Sequence, residues 1–217
     1  MTKTPVKSDV LRKIITRWVR HAPAEGSKME PLVRLVHAFL EYDAEISRAQ
    51  SAEQRLVSSM VDYNELRVTP AIELAAILGV RYAFAEARCS ALHRTLQAIF
   101  EREKQMNLES LHQMHKPEIR RYLKSLAGIN AYVEAAVALD CFGVPASHVD
   151  MKLLLFLKSK QAVSEECTVL ELQQVLERHI RDPETFNYPH FRRVTSGIFR
   201  RGAMPPVPLA DQVRPCR

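Results

Sequence analysis

The residues whose types and spacing could do chemistry lie between positions 122 and 163, in YLKSLAGINAYVEAAVALDCFGVPASHVDMKLLLFLKSKQAV. A tight, glycine-containing turn there separates two helix-forming segments. Such a turn leaves the backbone N–H groups of Gly128, Ile129, Asn130 and Ala131 unpaired at the start of the second helix. A nest of this kind, together with the positive end of the helix dipole, suits a phosphate. Gly128 tolerates a positive φ, and Asn130 is the next best residue for a left-handed or capping conformation. The arrangement would hold a nucleic-acid backbone without reading bases. Further along, Asp150 stands directly before the apolar run MKLLLFLK, where a carboxylate is an ordinary N-cap because it accepts from the first free N–H groups.

Cationic side chains flank these residues. Lys124 precedes the turn, Lys152, Lys158 and Lys160 follow Asp150, and Arg192, Arg193, Arg200 and Arg201 cluster with Phe191 and Phe199. Each group reads either as a phosphate clamp or as a solvated helix face, and the salt dependence of binding would tell the two apart. His112 and His115, one helical step apart, lack the further ligands a metal needs and read as a solvated helix edge. Cys89, Cys141, Cys167 and Cys216 stand at least 26 positions apart, with no CxxC clip, so neither a zinc site nor an iron-sulfur cluster is expected. No other cofactor is expected.

The elements that must position these residues are helical. A basic helix and hinge are expected over residues 1–28, followed by an amphipathic helix from Pro31 in which Leu32, Leu35, Val36, Phe39 and Leu40 recur at helical spacing. VDYNELRVTP breaks the period, and Asp62, Asn64 and Glu65 in it form a turn and cap cluster. Thr69-Pro70 then offers an N-cap and first-position proline for AIELAAILG. A long helix over about residues 84–104 follows, then short helices in NLESLHQM and KPEIRRYLKSL. NAYVEAAVALDCF, ended by Gly143-Val144-Pro145, HVDMKLLLFLKSK, TVLELQQVLERHI and YPHFRRVTSGIFRR complete the series. No segment alternates as a strand does, so the fold class is all-α. Residues 202–217, with four prolines and no periodicity, read as a loose tail.

Composition narrows the class further. The 217 residues fit one domain of 29–201 with terminal extensions, and 47% hydrophobic and 26% charged residues are average for a globular protein. No stretch approaches the ~18 apolar residues of a membrane span, and no apolar core of a secretory signal opens the chain, so no membrane partner and an intracellular, cytoplasmic setting near the nucleoid are expected. Thirty-one Lys and Arg against 25 Asp and Glu leave a net charge of +6, which favours a polyanionic partner.

The hairpin and the segment after it resemble the helix-hairpin-helix DNA glycosylase superfamily, which includes endonuclease III and the adenine and thymine mismatch glycosylases. The family pattern runs LPGVG, a catalytic or equivalent position two residues on, a helix, FG, then VD before the next helix. Leu126, Gly128 and Ile129 match the hairpin, Phe142-Gly143 the FG, and Val149-Asp150 the aspartate motif. The 18 positions from Tyr132 to Asp150 also agree with the family. The resemblance spans about residues 31–200, and its specific part is the hairpin-to-aspartate stretch. It implies that Asp150 activates water or stabilises the oxocarbenium character that builds on a sugar as its base leaves, and that Tyr132 lines or gates the base pocket.

Members that cut the strand carry a lysine where Tyr132 stands, because an amine forms a Schiff base with the sugar. A phenol cannot, and the thymine-mismatch branch, which is monofunctional, has tyrosine there. Asn130 replaces the second hairpin glycine, and the family's iron-sulfur cysteines are absent. The family's wedge, which fills the hole left by a flipped base, has no clear match. EYDAE stands roughly where it would fall, with Tyr42 in it. The resemblance therefore implies a monomeric protein bound to double-stranded DNA, acting as a monofunctional DNA N-glycosylase. A catalytically silent helix-hairpin-helix binder or scaffold and a helical protein-interaction module are the other readings.

Overall fold

The computed structural model describes residues 10–11, 13–14, 30–42, 44 and 46–179. Residues 10, 11, 13 and 14 are helical and Leu11 is buried. The rest of the basic N-terminal segment, Arg192, Arg193, Arg200, Arg201 and the proline-rich tail lie outside the described residues, as does the side chain of Lys152.

The chain runs α1 (Pro31–Glu41), α2 (Ile46–Ser59), α3 (Tyr63–Val68), α4 (Ala71–Leu78), α5 (Ala85–Glu103), a 3-10 turn (Glu109–Gln113), α6 (Lys116–Lys124), α7 (Ala131–Phe142), α8 (Met151–Ser159) and α9 (Val169–His179). Among the described residues there is no β-strand, as expected of an all-α chain.

Helix α7 is the axis of the fold. Every residue from Tyr132 to Leu139 is buried, which only a helix covered on all sides shows. Asn130 starts it by accepting the Val133 N–H at 2.9 Å, and Gly143, in the left-handed region at φ 59°, ends it. Helix α1 packs on α7 and against α2, α4 lies on α5, and α6 packs on α7. The long α5 buries Arg88, Cys89, Leu92, Thr95, Leu96, Ala98 and Ile99, a stripe at three- and four-residue steps.

Three local expectations change. VDYNELRV holds a real helix, α3, because Asp62 accepts the Glu65 N–H at 2.8 Å and so starts it. Thr69 does not cap α4: its hydroxyl donates back to the Glu65 carbonyl at 2.7 Å, closing α3, and Pro70 itself is the N-cap position of α4. NLESLHQM is a 3-10 turn in which the expected short α-helix does not form. Helix α2 carried little signal, because its buried face is made of Ala49, Ala52 and Leu56 and two of those are small.

Candidate active site

The hairpin between α6 and α7 is seated on α5. Gly128 has φ 86°, in the left-handed region, and a Cβ added there would run into the Ala91 carbonyl oxygen and meet Thr95 Oγ1 at 3.0 Å. Thr95 also donates to the Ala127 carbonyl at 2.9 Å. Glycine is thus required twice, for its backbone angle and for a close approach of two backbones. Of the four N–H groups expected to face a phosphate, Ile129 donates instead to the Leu126 carbonyl at 3.4 Å. Among the described residues the N–H groups of Gly128, Asn130 and Ala131 meet no backbone acceptor. Asn130 uses its side chain as the cap, which leaves the hairpin in shape without the second glycine. Ala131 and Lys124 are exposed beside it.

Two positions beyond the cap, Tyr132 is fully buried and donates to Glu41 Oε2 at 2.7 Å. Its ring lies 5.4 Å from Tyr42 and meets His148 edge-on at 5.9 Å. Tyr42 also meets His148 edge-on at 5.9 Å, so the three rings pack as one cluster. His148 leads directly into Asp150, whose Oδ1 accepts the Leu153 N–H at 2.7 Å. Asp150 therefore holds the N-cap of α8 and stands two positions from a ring that touches Tyr132. His148 thus brings the segment that leads into Asp150 against the Tyr132 ring.

A buried charge network lies behind the rings. Arg34, 2% exposed, donates from Nε to Asp140 at 2.7 Å and pairs through Nη1 with Glu41 at 3.3 Å. Burial alone would depress the guanidinium's pKa, but the Asp140 and Glu41 carboxylates outweigh it and hold the group above its ordinary value. His37 bonds Glu53 at 2.7 Å and approaches Glu41 at 3.9 Å. Glu41 is thus gripped from α1 itself and from α7. A second network ties α6, α7 and α9: Arg120 pairs with buried Glu134 at 2.8 Å and with Glu177 at 3.2 Å, and Glu177 accepts the Ser147 N–H ahead of Asp150.

The loop between α4 and α5 is fastened to the end of α1. Arg88 donates to the Phe39 carbonyl at 2.9 Å and to Ala83 at 3.0 Å, and the Tyr82 hydroxyl bonds the Leu40 carbonyl. Glu41 and Tyr42 follow immediately. On the same loop Val80 is wholly exposed and Phe84 is 54% exposed. Phe84 has φ 56°, an uncommon conformation for a bulky residue and a cost of about 1–3 kcal/mol.

The remaining candidates take structural places. The His112 ring lies tilted against Phe142 at 4.9 Å, His115 caps α6 in a box with Glu118, and no cluster of metal-ligating residues occurs among the described residues. Lys158 bonds the Glu165 carbonyl and Lys160 lies 5.7 Å from the Phe156 ring. Tyr42 turns inward onto Tyr132, away from the role of a wedge. Among the described residues no helix is long and apolar enough to cross a membrane. Sequence reasoning missed Arg34, Glu41, Asp140 and His148. The signal available was charges set within otherwise apolar stretches, LVRLVHAFLE and VALDCF, which in buried helices must find each other.

The architecture has solved counterparts. An endonuclease III–DNA complex superposes with a TM-score of 0.67, at 18% identity over 93% of this chain and 90% of that one. The fold is that of the helix-hairpin-helix DNA glycosylases. An H. pylori 3-methyladenine DNA glycosylase bound to 1,N6-ethenoadenine matches this fold with a TM-score of 0.66, at 14% identity over 91% of this chain and 98% of that one. A thermostable thymine-DNA glycosylase gives a TM-score of 0.57 at 14% identity, covering 82% of this chain and 83% of that one. No protein-family model and no curated protein matches the sequence.

Proposed function

We propose that this chain binds duplex DNA and hydrolyses the bond between a flipped base and its sugar, without cutting the strand. The observation that carries the reading is the placement of Tyr132 and Asp150: one immediately follows the hairpin, the other caps α8, and His148, two positions before Asp150, packs on the Tyr132 ring. In this reading the N–H groups of Gly128, Asn130 and Ala131 hold a phosphate, helped by Lys124, Lys152, Arg192 and Arg193. Asp150 stabilises positive charge on the sugar and orients the attacking water. Tyr132 lines the base pocket, and because a phenol forms no imine the product is an abasic site in an intact strand.

The exposed Val80 and Phe84 supply what the sequence did not offer, apolar side chains near the site that could enter the base stack. Apolar wedges of this sort unstack and kink duplexes. The protein would act as a monomer in the compartment that holds DNA, through the unit spanning residues 29–201.

Duplexes carrying uracil, mismatched thymine or oxidised purines, incubated with the protein and then treated with alkali, test the reading. Strand breaks that depend on alkali and vanish in Asp150→Asn support it, and breaks without alkali contradict the assignment of Tyr132. A second reading, a catalytically silent DNA binder, is favoured by the complete burial of Tyr132 and the engagement of its hydroxyl by Glu41. Tight, salt-sensitive binding with no product on any substrate would select it.

A further inference from the structure

A shallow, open hollow of about 370 Å3, lined by Arg102, Met114, Glu118, Arg121, Tyr122 and Ser125, lies between the last turn of α5 and α6. It lies on the same stripe of α5 as the hairpin. Gly128 packs on Ala91 and Thr95, and Ser125 takes bonds from Arg102, so positions 91, 95 and 102 recur at helical spacing. From Thr95 to Arg102 the helix rises roughly 10 Å. Phosphates of one DNA strand advance about 3.4 Å along the axis per nucleotide, so with α5 along the duplex the two places would be about three nucleotides apart.

We propose that this hollow is a second phosphate site, holding the same strand that the hairpin anchors. The inference rests on the DNA-binding reading above. Arg102 is fixed: Nη1 and Nη2 donate to Ser125 Oγ at 2.7 Å and Ser125 O at 2.8 Å, and its guanidinium lies 5.3 Å from the Tyr122 ring. Those two bonds leave it further N–H donors, already oriented. Arg121 has no carboxylate partner among the described residues. Lys124 stands one helical step on, on the same side of α6. The acid in the lining is Glu118, and its Oε2 already accepts the His115 N–H at 3.0 Å. Glu103 nearby is occupied by the Tyr122 hydroxyl at 2.6 Å.

These cations also sit at the C-terminal ends of α5 and α6, where a positive charge complements the helix dipole. The two roles part in their consequences. A dipolar role changes stability alone, whereas a phosphate contact changes the number of counterions released on binding.

The test is fluorescence anisotropy of the full chain on a short undamaged duplex between about 50 and 200 mM KCl. Arg121→Gln should flatten the slope of log K against log salt by about 0.9 and weaken binding about tenfold at the low-salt end. Arg121→Lys should restore the slope. Glu118→Gln, which keeps an acceptor for the His115 N–H, should tighten binding. An Arg121→Gln protein with a wild-type slope and a lowered melting temperature overturns the second site and leaves the DNA reading standing. A wild-type protein with no salt-sensitive duplex binding overturns both.

Discussion

Tyr132 and Glu41, 91 positions apart in the sequence, are joined by a 2.7 Å hydrogen bond from phenol to carboxylate. The bond fastens α1 to α7 beside the candidate site. Tyr132→Phe keeps the ring against Tyr42 and His148 and removes only the donor. Leaving a largely buried carboxylate short of one bond should cost about 1–2 kcal/mol, read from urea unfolding. A change within error would mean that water takes the phenol's place.

Arg34→Met removes the cation that Asp140 and Glu41 share. Breaking a buried pair at one end typically costs about 3–5 kcal/mol, because the surviving charges stay desolvated. Adding Asp140→Leu to Arg34→Met should recover part of the loss. Strict additivity of the two substitutions in a double-mutant cycle would deny the coupling.

Gly128→Ala forces a Cβ into the Ala91 carbonyl at a backbone angle that alanine rarely adopts. About 2 kcal/mol or more of stability should be lost. A wild-type melting temperature would show that the hairpin is not seated on α5 as described.

Asp150 is a cap and a proposed catalytic residue, and two substitutions separate the roles. Asparagine caps as well as aspartate, so Asp150→Asn should melt like wild type while losing base release. Asp150→Ala should lose both, at about 1 kcal/mol for the cap. Equal activity in Asp150→Asn and wild type would remove Asp150 from the chemistry.

Burial pushes the Cys89 and Cys141 thiols up to about 12. At pH 8 both should resist iodoacetamide until the protein is denatured, as mass spectrometry would show. Because the folded thiols titrate above the unfolded ones, their contribution to stability is intact below the ordinary thiol value near ~8.5 and is lost as pH rises toward the folded value. Rapid native labelling of Cys89, which is 1% exposed, would contradict the packing of α5.

Much of this architecture was legible in the chain. Leu32, Leu35, Val36, Phe39 and Leu40 announced α1, and Asn130, Gly143 and Asp150 marked helix ends where the structure has them. Periodicity and caps are local physics, and local physics survives folding. The site was legible only in part. Asp150 and Tyr132 could be named, but the engagement of Tyr132 by Glu41 belongs to two helices that meet only in three dimensions. Val80 and Phe84 were silent for a related reason: an apolar residue in a sequence reads as core, and only the fold shows that both face outward. Thr69 misled because its hydroxyl served the helix behind it.

The bond from Arg34 to Asp140 joins positions 106 apart, and that distance has a temporal side. At the usual ~5–20 residues per second of synthesis, α1 waits roughly 5–20 s on the ribosome before α7 is made. Through that interval the part of its apolar face that α7 will cover stays open to water, and Arg34 has Glu41 of its own helix but not yet Asp140. A bond of that span closes a long loop, so it costs more chain entropy to form than any contact within a helix.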